Sequence, residues 1–75
     1  MTNKLESIFR TVFDLPERGD VTAVRQGSDA RWDSLAHVTL VAAIESEFAI
    51  TIDAAESLRI TSYEGARRLL EEMGV

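Results

Sequence analysis

Residues 32–48 read WDSLAHVTLVAAIESEF, and the way this stretch spreads its apolar residues decides what kind of fold the chain can have. Asp33 is of the residue type that accepts hydrogen bonds from the N–H groups opening a helix, so 34–48 is expected to be a helix capped by Asp33. At about 100° per residue, His37, Leu40, Val41, Ile44 and Phe48 share one arc, the expected core face. Ser34, Leu35, Val38, Ala42 and Glu45 share the adjoining arc, and Thr39, Ser46 and Glu47 complete the circle. A helix apolar beyond its core stripe has a second surface to touch.

Upstream, Leu5, Ile8, Phe9, Val12 and Phe13 keep the spacing of a single buried face and predict a helix over 3–14. Asn3 and Glu6 give it a capping-box start, and Pro16 stops it near Leu15. Residues 15–33 show neither helical nor strand periodicity and contain Pro16, Gly19 and Gly27, so they form a loop that is long for so small a chain. Val21, Val24 and Trp32 are its expected anchors, with room for a helical turn around Val21–Val24. Downstream, 49–52 is a short connection. Asp53 with Glu56 makes a second capping box, opening a helix of one or two turns to about Leu58. Thr61 with Glu64 makes a third, opening a last helix that buries Tyr63, Ala66, Leu69, Leu70 and Met73 and ends at Gly74. The expected fold is all-α, a four-helix bundle with a long loop between its first two helices and a short third helix. Residues 1–75 are read as a single domain.

The 75 residues, 8.3 kDa, leave no space for a second domain, and 45% hydrophobic with 28% charged residues is too apolar for disorder. With no cysteine there is no disulfide, no thiolate metal site and no thiol nucleophile, and one histidine excludes multi-histidine sites. No apolar run is long enough to span a bilayer, and MTNKLESIFR shows no signal or lipidation pattern, so the expected compartment is the cytoplasm.

A formal net charge of −5 argues against nucleic-acid binding. The charge is unevenly placed. Residues 1–32 and 59–75 each sum to zero, whereas Asp33, Glu45, Glu47, Asp53 and Glu56 stand in the middle with no base among them. Such a face aids solubility, and it also suits a basic partner.

The residue best placed for chemistry is Ser34. Directly after an N-cap aspartate it lies in the first turn of a helix, where free N–H groups and the helix dipole favour an anion such as a phosphate ester. Asp-Ser is also a common helix start. A hydrolase triad of Ser34, His37 and Asp33 is disfavoured, because the aspartate sits on the serine side of the imidazole and cannot orient its far nitrogen. His37 reads instead as a residue on the core edge near Trp32. Glu45, Glu47, Asp53 and Glu56 lack the alternating ligands and central glycine of a calcium loop, so no metal site is expected.

Taken in order, Trp32-Asp33-Ser34-Leu35, Val38, Leu40-Val41, Ala43-Ile44-Glu45, Glu47-Phe48, Ile52, Glu56, Ile60-Thr61 and the closing Ala66–Leu70 resemble an acyl carrier protein over essentially the whole chain. The long loop matches in length only. The resemblance implies that Ser34 carries a 4'-phosphopantetheine arm, transferred from coenzyme A by a phosphopantetheinyl transferase. It implies that acyl or aminoacyl groups ride on the arm as thioesters, and that the chain is a carrier rather than an enzyme. A chain without cysteine must borrow its only thiol, which fits. The resemblance also implies docking of acyl-loading and acyl-processing enzymes through basic patches. Leu35, Val38 and Ala42 would be the apolar part of that contact, and Asp33, Glu45 and Glu47 its charged part. Neither nucleic acid nor membrane is an expected partner, and the chain is expected to act as a monomer.

Ala36 and Thr39 stand where carriers of bacterial fatty-acid synthesis are typically acidic, and Ala42 replaces a larger apolar residue. With Trp32 and His37, these departures look more like a discrete carrier of polyketide, nonribosomal peptide or related specialised metabolism than one of general fatty-acid synthesis. The reading from another class is an unmodified helical interaction module whose acidic helix binds its partner directly.

Overall fold

Four α-helices and one 3-10 turn carry the chain in a computed structural model that describes residues 2–75, with side chains from Lys4 onward. They are α1 (Thr2–Val12), the 3-10 turn (Val21–Ala23), α2 (Ser34–Phe48), α3 (Ala54–Ser57) and α4 (Tyr63–Glu72). The chain is thus all-α, with no β-strand among the described residues beyond a single antiparallel bridge between Arg25 and Ser62. Its Cα radius of gyration, 11.2 Å, is that of a folded domain of this length, about 11 Å.

α1 is the organising element and packs against α2, α4 and the 3-10 turn. Leu5 and Phe9 are buried along its inner face and Phe13 just past its end, while Ile8 and Val12 of the same expected face are half-buried against the core. The helix already includes Asn3, so Asn3 is not the residue that precedes it, and its capping side chain lies outside the described residues. Its end also differs from the expectation: it stops at Val12, not near Leu15. The physical stop is Asp14, which takes a left-handed φ of 53° so that the N–H of Leu15 can reach the carbonyl of Arg10 at 2.8 Å. Pro16 only prevents resumption beyond that point.

The long loop is anchored as its apolar residues suggest. Val21, Val24 and Trp32 are buried, and the helical turn is a 3-10 turn capped by Asp20, whose carboxylate accepts the N–H of Thr22 at 2.9 Å. Nearer α2, Arg31 chelates Asp29 and also donates to the carbonyl of Phe13 at 3.3 Å, fixing the loop's end against α1. The hydrogen bonds from Arg31 to Asp29 hold that carboxyl at about 2, well below the usual carboxylate range.

α4 buries Tyr63, Ala66, Leu69 and Leu70, with Met73 half-buried. Its cap is Ser62, which accepts the N–H of Gly65 at 3.1 Å, and not Thr61. The cause is the loop. The carbonyl of Thr61 accepts the N–H of Gln26 at 3.0 Å, and the Arg25–Ser62 bridge continues that pairing. Thr61 therefore stays outside the helix and the start moves one residue on. The capping box before α3 forms as expected: Asp53 accepts from Glu56 N–H at 2.8 Å and Glu56 accepts from Asp53 N–H at 3.0 Å. α3 has no buried residue of its own and is held by Ile52 and Ile60 on either side of it.

Candidate functional site

α2 begins where the sequence places it. Asp33 has extended backbone angles and its carboxylate accepts the N–H of Ala36 at 2.8 Å, while its carbonyl accepts that of His37 at 2.9 Å. Ser34 is the first helical residue and is exposed. Its hydroxyl thus sits at the positive end of a fifteen-residue helix, whose first-turn N–H groups have no intrahelical acceptors.

The expected core face of α2 is only partly sealed. Leu40 and Ile44 are fully buried, whereas His37, Val41 and Phe48 are half-buried. On the adjoining arc Leu35 is 75% exposed and Val38 65%, and Ala42 is exposed as well. Two branched apolar side chains in water within about one turn of Ser34 stabilise nothing in the fold, and burying them is what a partner can offer. A further large apolar side chain is in the same state: Leu58, directly after α3, is 78% exposed. Sequence reading places Leu58 only at a helix end. A signal is present all the same, since Leu58 stands five residues before Tyr63, the first expected core position of the last helix, and has no periodic partner in so short a helix.

The acidic residues divide into two groups. Asp33 and Glu47 are exposed. Glu45 is half-buried, and its carboxylate accepts the N–H of Ile52 at 2.8 Å, so it also holds the connection after α2 in place. Ala49 closes the helix with a left-handed φ of 54°, and the N–H of Ile50 returns to the carbonyl of Glu45 at 3.1 Å. Among the described residues no cluster of acidic and histidine side chains could hold a metal ion, and no helix is long and apolar enough to cross a membrane. A groove of about 440 Å³ between α1 and α2 includes Ala43 and Glu47 in its walls, and so lies along the far half of α2 from Ser34.

His37 lies where the sequence suggests, beside Trp32, with ring centroids 6.1 Å apart. Its Nδ1 accepts the indole N–H of Trp32 at 3.1 Å, and its Nε2 meets the carbonyl and hydroxyl oxygens of Ser57 at 3.1 and 2.9 Å. Both ring nitrogens are therefore engaged away from Ser34, and Asp33 is bound to its own helix. The three residues do not form a relay.

With that geometry established, comparison of the chain with protein-family models, with curated proteins and with solved structures gives no match.

Proposed function

We propose that this chain is an acyl carrier protein, its four helices the bundle of that family and Ser34 its attachment point for 4'-phosphopantetheine. The observation that carries the reading is the coincidence, at one end of α2, of an exposed Ser34 hydroxyl at a helix N-terminus with Leu35 and Val38 left in water beside it. A phosphodiester on Ser34 fits the site: the residue is exposed, its backbone is already fixed by Asp33, and first-turn N–H groups offset the added negative charge. When bound, the arm supplies the thiol that this cysteine-free chain lacks, and on it an acyl or aminoacyl group is carried as a thioester.

The chain's own part is presentation. Leu35, Val38 and Ala42 offer the apolar contact to a phosphopantetheinyl transferase and to acyl-processing enzymes, with Leu58 added to that surface by its exposure. Asp33, Glu47 and the part of Glu45 not bound to Ile52 supply charge for a basic patch, setting approach and register more than affinity. The departures at Ala36, Thr39 and Ala42 favour a specialised polyketide, nonribosomal peptide or related pathway over general fatty-acid synthesis.

The test is intact mass after incubation with coenzyme A and a permissive phosphopantetheinyl transferase. The wild type is expected to gain one phosphopantetheine and one titratable thiol, and Ser34→Ala neither. A folded protein that gains nothing would leave the exposed face of α2 as the binding surface of an unmodified interaction module.

A further inference from the structure

Residues 53–59 contain no buried side chain, and the core holds this segment only at its ends, through Ile52 and Ile60. What sets the place of α3 between those ends is therefore polar. The capping box of Asp53 and Glu56 is internal to the segment, and Arg59, beyond α3, pairs with Glu72 on α4. Among the described residues, one side chain of another element makes hydrogen bonds to α3 itself: Nε2 of His37, on α2, meets the carbonyl and the hydroxyl of Ser57 at 3.1 and 2.9 Å. The same carbonyl accepts the N–H of Ile60 at 3.1 Å, so the tie is made where the segment turns back into the core.

The imidazole is aimed by the core. The indole N–H of Trp32 can only donate, so Nδ1 of His37 accepts it at 3.1 Å, and Nε2 is the nitrogen that carries hydrogen toward Ser57. Trp32 is itself fixed, being 5% exposed and packed against Phe9 and Phe13 with ring centroids 5.8 and 4.8 Å apart. A rigid indole thus orients the ring, and the ring holds the end of α3. The residue after Ser57 is the exposed Leu58. The exposed apolar residues of α2 that share its state are Leu35 and Val38, on either side of His37 in sequence.

We propose that His37 is a positioning residue for partner recognition: it fixes Leu58 relative to Leu35 and Val38, so that a docking enzyme meets three branched apolar side chains in a set arrangement. This rests on the proposed carrier function, in which those side chains are the apolar contact; the tie between α2 and α3 does not. With Leu58 held in place before contact, the complex is spared the cost of ordering a loose segment. The effect therefore falls on docking and not on the chemistry at Ser34.

Two substitutions separate the bonds of the ring. The amide nitrogen of His37→Gln reaches where Nε2 stands and can donate to Ser57, whereas the amide oxygen of His37→Asn lies near the place of Nδ1 and can accept only from Trp32. Loading by a phosphopantetheinyl transferase with coenzyme A, and amide exchange of residues 54–60, are measured on the wild type, both variants, Leu58→Ala, and His37→Asn combined with Leu58→Ala. Leu58→Ala is expected to raise KM about five-fold with kcat kept. His37→Asn should raise KM by no more than that and should speed α3 exchange about five-fold, the worth of one ordinary hydrogen bond. His37→Gln should stay close to the wild type in both. In the Leu58→Ala background His37→Asn should add nothing to KM, a coupling that a merely structural loss of stability does not give. The positioning role is overturned if α3 exchange is unchanged in His37→Asn, if His37→Gln loses as much as His37→Asn, or if the two effects on KM add. If the wild type takes up no phosphopantetheine, the carrier reading falls and Leu58's role with it, while exchange still decides whether His37 holds α3. If His37→Asn does not fold, Leu58→Ala and the wild type decide: an unchanged KM in the first, or ¹⁵N shifts that place the ring hydrogen on Nδ1 at pH 8 in the second, overturns the proposal.

Discussion

α4 and α2 are both built mostly from good helix formers and both are well capped, yet they treat their apolar residues in opposite ways. Every leucine of α4 is buried, and its outer face is a mesh of ion pairs in which Arg67 meets Glu64 and Glu71 and Glu72 meets Arg59. α2 buries Leu40 and Ile44, and leaves Leu35 and Val38 in water among acidic residues that have no basic neighbour in sequence from 33 to 58. α4 is accounted for by folding alone. α2 carries more apolar surface than the fold uses, and that surplus is what the proposed function puts to use.

The largest contrast is expected from one substitution made on each helix. Leu69 is 1% exposed, and Leu69→Ala should cost about 3 kcal/mol in urea unfolding through lost burial and a residual cavity. Leu35→Ala should change stability by less than about 0.5 kcal/mol and, on the proposed carrier reading, weaken loading by the transferase. A comparable loss of stability for both would break the distinction between the helices.

Gly65, in the first turn of α4, comes next. An alanine there should help a helix by roughly 0.5–1 kcal/mol, but its Cβ would lie 2.9 Å from the backbone carbonyl oxygen of Arg59. A backbone atom cannot swing aside, so Gly65→Ala is expected to destabilise by about 1–2 kcal/mol in the same measurement. At the end of α2 the same reasoning has the opposite sign. Ala49 is held at a φ of 54°, where glycine carries no penalty, so Ala49→Gly should stabilise by about 1 kcal/mol.

Those two positions also show where the sequence is readable and where it is not. Helix identity, the caps Asp33 and Asp53, the loop anchors and the buried face of α4 come from local spacing, because each depends on residues within one or two turns. The start of α4 does not. Thr61 and Ser62 are both competent caps, and the choice is made by the backbone pairing of Gln26 with Thr61, thirty-five residues away in sequence. The left-handed stops at Asp14 and Ala49 are equally hidden: neither residue is a glycine, and each conformation goes with a closing bond of the next residue, Leu15 N–H to Arg10 and Ile50 N–H to Glu45. At the candidate site, Ser34, Leu35 and Val38 are legible from helical phase alone. The exposure of Leu58 and the engagement of both His37 nitrogens depend on where α3 settles, and no spacing within α2 encodes that.

The smallest expected effects lie in the charges of the two outer faces, and the two faces differ. On α4 the Glu64 carboxyl is held below its ordinary value chiefly by its hydrogen bond from Arg67, and Glu72 by that from Arg59. A carboxyl whose folded value is depressed adds stability above its unfolded value, near 4.5, and that stability drains away as the pH falls below it. Arg67→Gln should therefore lower Tm slightly at pH 7 and make the fall of Tm between pH 5 and pH 3 shallower, with added salt narrowing its difference from the wild type. Glu47 on α2 faces solvent in a segment with no base, within a chain of net charge −5. Glu47→Gln breaks no ion pair, and the net repulsion it relieves is set against Lys4 in the wall of the same groove, so its Tm at pH 7 should match that of the wild type at any salt concentration. A loss at Arg67 with none at Glu47 marks α4's charges as part of the fold and Glu47 as surplus to it; matching losses would place Glu47 in the fold as well.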